Sequence, residues 1–168
     1  MRNIFAVSLL VFSVFAIVAF AYPSKLLLAQ NALTPTPQQT AFVNSFQKLV
    51  GDANNLTRSY QSEVTKWRNH QLDNKTMISV TDNYLPKYEK LINQSKTLQS
   101  PAEFQNATNL YARSLESELQ SNMHFKNYLS TNNSTENQLA SQSLSNGLVQ
   151  EVQAFKALKP SGLFNIVP

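Results

Sequence analysis

QQTAFVNSFQKLVGDANNLTRSYQSEVTKW, residues 38–67, decides how this chain folds. Phe42, Phe46, Leu49, Ala53, Leu56, Tyr60, Val64 and Trp67 follow one another at spacings of 4, 3, 4, 3, 4, 4 and 3, with mostly polar residues between them. A period near 3.6 places all eight on one stripe of a helix, and a stripe this long has to be buried against other helices. The spacing predicts a helix over about 38–71, packed in a bundle.

Three further stretches repeat the pattern downstream. Met77, Tyr84, Tyr88, Leu91 and Leu98, widened by Ile78, Leu85 and Ile92, predict a helix over about 75–99, with Pro86 in its middle as an expected kink. Ser100-Pro101-Ala102-Glu103 has the residue order of a capping box with Pro in the first turn, and so predicts the start of a third helix running to about Ser130. That helix would bury Phe104, Ala107, Tyr111, Leu115, Leu119, Phe125 and Leu129. After a polar turn at 131–135, a fourth helix to about Lys159 would bury Ala140, Leu144, Leu148, Phe155 and Leu158, and Pro160-Ser161-Gly162 would end it. Four helices joined by short connections fold most simply as an all-α, up-down-up-down antiparallel bundle, here residues 38–159. The apolar tail at 160–168, with Leu163, Phe164, Ile166 and Val167, is expected to cap one end or to serve as an interaction tail.

Upstream of the bundle the chain changes character. Ile4 to Tyr22 carries no charge, follows Arg2, and closes on Ala19-Phe20-Ala21 before Pro23. Residues 1–22 therefore read as a secretory signal, or as a membrane anchor if uncleaved, since the run is almost long enough to span a bilayer. Arg2 holds the N-terminus inside, so either reading places the rest extracytoplasmic, secreted or anchored to the cell membrane. Residues 23–37, with Thr34-Pro35-Thr36-Pro37, read as an extended linker.

Composition excludes several classes of function. The chain has no Cys, hence no disulfide framework, thiolate metal site, lipidation site or Cys nucleophile. A cut after Ala21 leaves 147 residues, enough for one domain with a core of its own. The net charge is only +4 and the basic residues are scattered, so no nucleic-acid footprint is expected. The Lys87, Lys90 and Lys96 cluster reads as a solvated helix face. Six N-x-S/T acceptors stand at Asn55, Asn74, Asn93, Asn106, Asn132 and Asn133; the Asn-rich composition supplies part of that number by chance, and their wheel positions lie away from the apolar stripes or at helix junctions.

Polar residues that interrupt the stripes are the candidate site. Glu118 and Asn122 fall near the centre of the third helix's face and Glu151 within the fourth's. Counting from the turns puts Glu118 level with Asp82 and Glu151 level with Pro86, where a freed carbonyl and two carboxylates would line a small crevice. The alternative is that both Glu lean to a seam and pair with Arg113, Lys126 or another base. No Glu has a His three residues on, so the di-iron pattern of bundles is absent, and no cofactor is expected. His70 and His124, with Met77 nearby, are the weak metal or haem candidates, His124 pointing away from its helix's apolar face. No Ser or Thr stands in a recognisable nucleophile–base arrangement, so an enzyme is not expected.

Leu85-Pro86-Lys87-Tyr88, Ser100-Pro101-Ala102-Glu103-Phe104-Gln105-Asn106-Ala107, Tyr111, Ser114-Leu115-Glu116-Ser117-Glu118 and His124-Phe125, with Trp67 upstream, form a pattern that resembles uncharacterised exported four-helix proteins of ammonia-oxidising archaea. The resemblance spans about residues 60–157 and implies a fold and an envelope location, with no site residues. The expectation is a non-enzymatic module at the cell surface binding a protein or small-molecule partner. The alternatives are a metal- or haem-binding bundle and the external subunit of a membrane complex.

Overall fold

The structure, a computed structural model, describes residues 35–158. The signal or anchor, most of the linker and the apolar tail lie outside the described residues. Within them the chain forms four helices and no strand: α1 (Pro37–Arg68), α2 (Asn74–Thr97), α3 (Gln105–Thr131) and α4 (Ser134–Leu158), with a 3-10 turn, Ala102–Phe104, ahead of α3. No described helix is long and apolar enough to cross a membrane.

Each helix starts and stops for a local reason. Thr36 caps α1: its side chain accepts from the Gln39 N–H while the Gln39 side chain accepts from the Thr36 N–H, with Pro37 in the first turn where its missing donor is not needed. The Thr-Pro segment thus ends as a capping box instead of running on as linker. Asp73 caps α2 through the Thr76 N–H at 2.7 Å. Asn132 closes α3 in the left-handed region at φ 55, a conformation that Asn tolerates better than most residues. His70, in the turn between α1 and α2, also takes positive φ (59).

The capping box expected at Ser100-Pro101-Ala102-Glu103 does not form. Pro101 adopts an extended conformation and precedes the 3-10 turn without a side-chain cap. Ser100 Oγ lies 2.9 Å from Thr108 Oγ1, and the Glu103 carboxylate accepts from Gln39 Nε2 at 2.9 Å, so tertiary partners have claimed both groups. α2 continues as helix through Pro86.

Two apolar clusters fill the interior. One joins the start of α1 (Phe42, Phe46, Leu49), the end of α2 (Leu91, Ile92), the start of α3 (Phe104, Ala107, Tyr111) and the end of α4 (Ala154, Phe155, Leu158). Phe42 stacks on Phe104 with ring centroids 4.8 Å apart, and Phe46 meets Tyr111 edge-on at 5.2 Å. The other joins Tyr60 and Val64 of α1, Met77 of α2, Phe125 and Leu129 of α3 and Ala140 of α4, with Trp67 edge-on to Phe125. Leu56, Trp67 and Leu119 of the expected stripes are only partly buried.

Consecutive helices pack closely, α1 on α2, α2 on α3 and α3 on α4, whereas α1 and α4 make no comparable approach. The α3–α4 contact is the tightest because both helices place small residues at seven-residue intervals: Ala107, Ser114 and Ser121 on α3, Ala140, Gly147 and Ala154 on α4, all buried. A Cβ added at Gly147 would lie 3.1 Å from the Ser114 carbonyl oxygen. Ser121 Oγ donates to the Ala140 carbonyl at 2.8 Å, so the seam is bonded as well as packed.

Candidate functional site

Between the two apolar clusters lies a polar layer to which all four helices contribute. Glu118 of α3 is its centre. Its Oε1 accepts hydrogen bonds from Thr57 Oγ1 of α1 at 2.6 Å and from the Tyr88 hydroxyl of α2 at 3.1 Å, and those two hydroxyls lie 3.3 Å apart. Asn122, one turn further along α3, is 5 % exposed and lies beside the Tyr88 phenol, yet its Nδ2 completes no hydrogen bond. Glu151 of α4 faces the same layer, close enough for its charge to act on Tyr111 and to feel that of Glu118.

The electrostatics follow from what is missing around the carboxyls. Among the described residues no ion pair reaches Glu118 or Glu151. Burial pushes the Glu118 carboxyl above the usual range, opposed by the Thr57 and Tyr88 hydroxyls. Burial, and then the neighbouring Glu118 charge, push Glu151 up to about 7. The tyrosines are driven upward too, Tyr88 by burial and then Glu118, Tyr111 by burial and then Glu151 and Glu118, so both remain neutral hydroxyls. Thr57, Glu118 and Glu151 each keep partial exposure.

Of the three polar interruptions of the sequence, Glu118 and Asn122 lie beside the Tyr88 phenol, and Glu151 lies near Tyr111 and within electrostatic reach of Glu118. The expected geometry needs correction. Glu118 is level with Tyr88, six residues beyond Asp82, which pairs on the surface with Lys126 at 2.5 Å. Pro86 is exposed and does not line the layer. The expected pairing of Glu118 with Arg113 or Lys126 is replaced by two hydroxyl donors. Sequence reasoning placed Tyr88 in the core and overlooked its hydroxyl; a buried tyrosine needs a partner for that group, and this was the available signal. Thr57, one position off the stripe, gave none.

The histidines do not converge. His70 is exposed in its turn, and His124 places Nδ1 2.8 Å from Glu136 Oε2. Met77 is fully buried in the second cluster. Among the described residues no group of three or more His, Asp or Glu could hold a metal ion. All six acceptor asparagines are exposed. Asn74, however, is tied into the fold, its Oδ1 accepting from Trp67 Nε1 at 2.8 Å and its Nδ2 donating to the Leu129 carbonyl at 3.3 Å.

A concavity of about 440 Å³ lies between the start of α1 and the end of α2, lined by Ala41, Phe42, Leu49 and Leu98 among polar neighbours. Its one carboxylate, Asp52, is paired with Lys48 at 2.6 Å. Charge therefore distinguishes the central layer from this groove.

The described residues thus form four helices, with two carboxyls near their middle that no described ion pair neutralises. Comparison with protein-family models, with curated proteins and with solved structures finds no match. The layer has to be read from its own chemistry.

Proposed function

We propose that this chain is an extracytoplasmic, non-enzymatic module, an up-down-up-down antiparallel four-helix bundle held at or released from the cell surface, that binds a small positively charged ligand in its central polar layer. One observation carries the reading: Glu118, bonded at the centre of a polar layer, and Glu151, close enough to feel its charge, have no base among the described residues acting on either. A buried carboxylate without a cation is unfavourable, and replacing it by an apolar side chain usually stabilises a fold. A cation entering the layer supplies what the fold itself withholds. The arrangement supports binding over catalysis, because the layer holds acids and neutral hydroxyls but no nucleophile–base pair.

The address rests on residues 4–22 and on the Thr-Pro segment. The alternation of helix direction is supported by the two clusters, in which the start of α1 meets the end of α2, the start of α3 and the end of α4. The location is tested by the intact mass of the protein from its native membrane and soluble fractions: a species starting at Tyr22, or one retaining the N-terminal residues in the membrane, supports it, and a cytosolic full-length species refutes it. The binding is tested by calorimetric titration of the full chain in detergent at pH 8 with putrescine and calcium chloride. Heat of binding lost in Glu118→Gln is expected, and the absence of binding by both probes refutes the reading.

A further inference from the structure

The groove between the start of α1 and the end of α2 lies at the end of the bundle where the described chain stops. Phe42 and Leu49, both buried, form its floor, while Ala41 is exposed and Leu98 half-buried on its walls. Leu158, the last described residue, shares one apolar cluster with Phe42 and Leu49, so α4 ends in the core that the groove overlies. Lys159 to Pro168 follow from that point. Fully extended, these ten residues reach about 33 Å. Crossing the end of α1 takes about one helix diameter, roughly 10–12 Å, which Lys159 to Gly162 can span. Leu163 to Pro168 then keep about 20 Å of reach. The α1 wall of the groove, from Gln38 to Asp52, rises about 21 Å, so segment and groove match in length.

The two also match in chemistry. Lys48 and Asp52, the charged residues of the groove, pair with each other at 2.6 Å, and residues 160–168 contain no Asp, Glu, Lys, Arg or His. A charged partner would find no counter-charge here. Leu163, Phe164, Ile166 and Val167 bring four apolar side chains to an apolar floor, and the exposed amides of Gln38, Gln94 and Gln99 can both donate to and accept from the backbone of a segment laid between them. We propose that residues 163–167 seat in this groove of the same molecule. The segment then ties the end of α4 across α1 to α2, continues the first apolar cluster outward, and closes the groove to other ligands. The proposal is independent of the cation-binding reading, because the groove shares no residue with the central layer.

The chain has no Cys, so introduced thiols report contact without background. The experiment compares two double variants of the full-length protein in detergent, Ser45→Cys with Asn165→Cys and Asn109→Cys with Asn165→Cys. Ser45 lines the groove, whereas Asn109 is exposed near the start of α3, at the same end of the bundle but outside the groove. Each is equilibrated with reduced and oxidised glutathione and alkylated, and intact mass gives the closed fraction as an effective concentration. A disulfide needs Cα atoms within about 7 Å, so the seated segment is expected to close the groove pair at least tenfold more favourably than the control pair. Adding Phe164→Asp is expected to bring the groove pair down to the control value, since a charge is costly in neutral, apolar surroundings. In the unmutated chain, nuclear Overhauser contacts between the Phe164 ring and the Leu98 methyl groups are expected. Equal closure of the two pairs overturns the proposal. So does closure only as a disulfide dimer, which would seat the segment of a second copy, or stronger closure of Ser45→Cys with Leu27→Cys, which would seat the N-terminal segment.

Discussion

Replacing Glu151 by Gln should change how stability depends on pH, and the sign can be worked out beforehand. Burial and the Glu118 charge lift the Glu151 carboxyl from 4.5 to about 7. Between those values the folded chain holds a proton that the unfolded chain has released, so stability falls as pH rises. The contribution is fully present below about pH 4.5 and is lost as pH climbs through 7. A shift of about 2.5 units corresponds to roughly 3 kcal/mol at about 1.4 kcal/mol per unit, and partial exposure of the side chain makes this an upper figure. Glu151→Gln removes the titration and keeps the shape, so it should be near neutral at pH 5 and stabilising by roughly 2–3 kcal/mol at pH 8.

Urea denaturation followed by far-ultraviolet circular dichroism, at intervals from pH 4.5 to 8.5 and without added amine, measures this. Both proteins should lose stability below the window, because the Asp73, Glu103 and Glu136 carboxyls are held down by hydrogen bonds from Thr76, Gln39 and His124, and protonation breaks those bonds as pH falls. Above it the curves should separate, the unmutated chain declining toward pH 8 more steeply than the variant, in which only Glu118 remains raised. Parallel curves, or a stability of the unmutated chain that rises from pH 5 to pH 8, would refute the placement of Glu151 in a desolvated layer beside Glu118.

Other parts of the structure make equally definite predictions. Gly147→Leu should destabilise by about 2–3 kcal/mol in urea, since even a Cβ there sits 3.1 Å from the Ser114 carbonyl oxygen, and Gly147→Ala should lose less because helix propensity returns up to about 1 kcal/mol. A variant as stable as the parent would mean that α3 and α4 are not in close contact at this point. Tyr88→Phe removes a donor from Glu118, and should raise that carboxyl's pKa in a carbon-13 titration and lower stability at pH 8 by about 1.5–3 kcal/mol, more than at pH 4.5. Glycopeptide mapping of the exported protein should find carbohydrate on the unencumbered Asn55, Asn93 and Asn106 and none on Asn74, whose amide is bonded to the Leu129 carbonyl.

Much of the fold is legible in the sequence because long helices carry their own signal. The stripe from Phe42 to Val64 needs no partner to be recognised, and the helix it predicts runs from Pro37 to Arg68. The ends are less legible because caps compete with tertiary bonds: Ser100 and Glu103 have the spacing of a capping box, but Thr108 and Gln39 claim their side chains. That same connection explains why the heights were misjudged. With the chain extended at Leu98 and Pro101 and a 3-10 turn before α3, residues facing each other across α2 and α3 centre near 103–104, as Tyr88 with Glu118 and Asp82 with Lys126 both show. Counting from a turn at Ser100 set Glu118 against Asp82 instead. The site was half legible for a related reason. Glu118, Asn122 and Glu151 stand out as polar residues on apolar faces, whereas Thr57 and Tyr88 become visible only when three helices bring their hydroxyls to one carboxylate.

The position of the layer connects its stability effect to its proposed role. It lies between two apolar clusters. A leucine at 151 would extend the core there and should make the bundle more stable, whereas one at 118 would take the acceptor from the Thr57 and Tyr88 hydroxyls. With carboxyls in those places, the charge that weakens the fold near pH 8 is the charge that would attract a cation. A ligand that binds only the folded form stabilises it in proportion to the logarithm of its concentration over Kd. Putrescine should therefore raise the urea midpoint of the unmutated chain at pH 8 and have little effect at pH 5, where Glu151 holds its proton. It should have little effect on Glu151→Gln at either pH. Equal stabilisation of both proteins by putrescine would separate the amine from this carboxyl, and Glu151 would then be a buried acid whose charge serves no ligand.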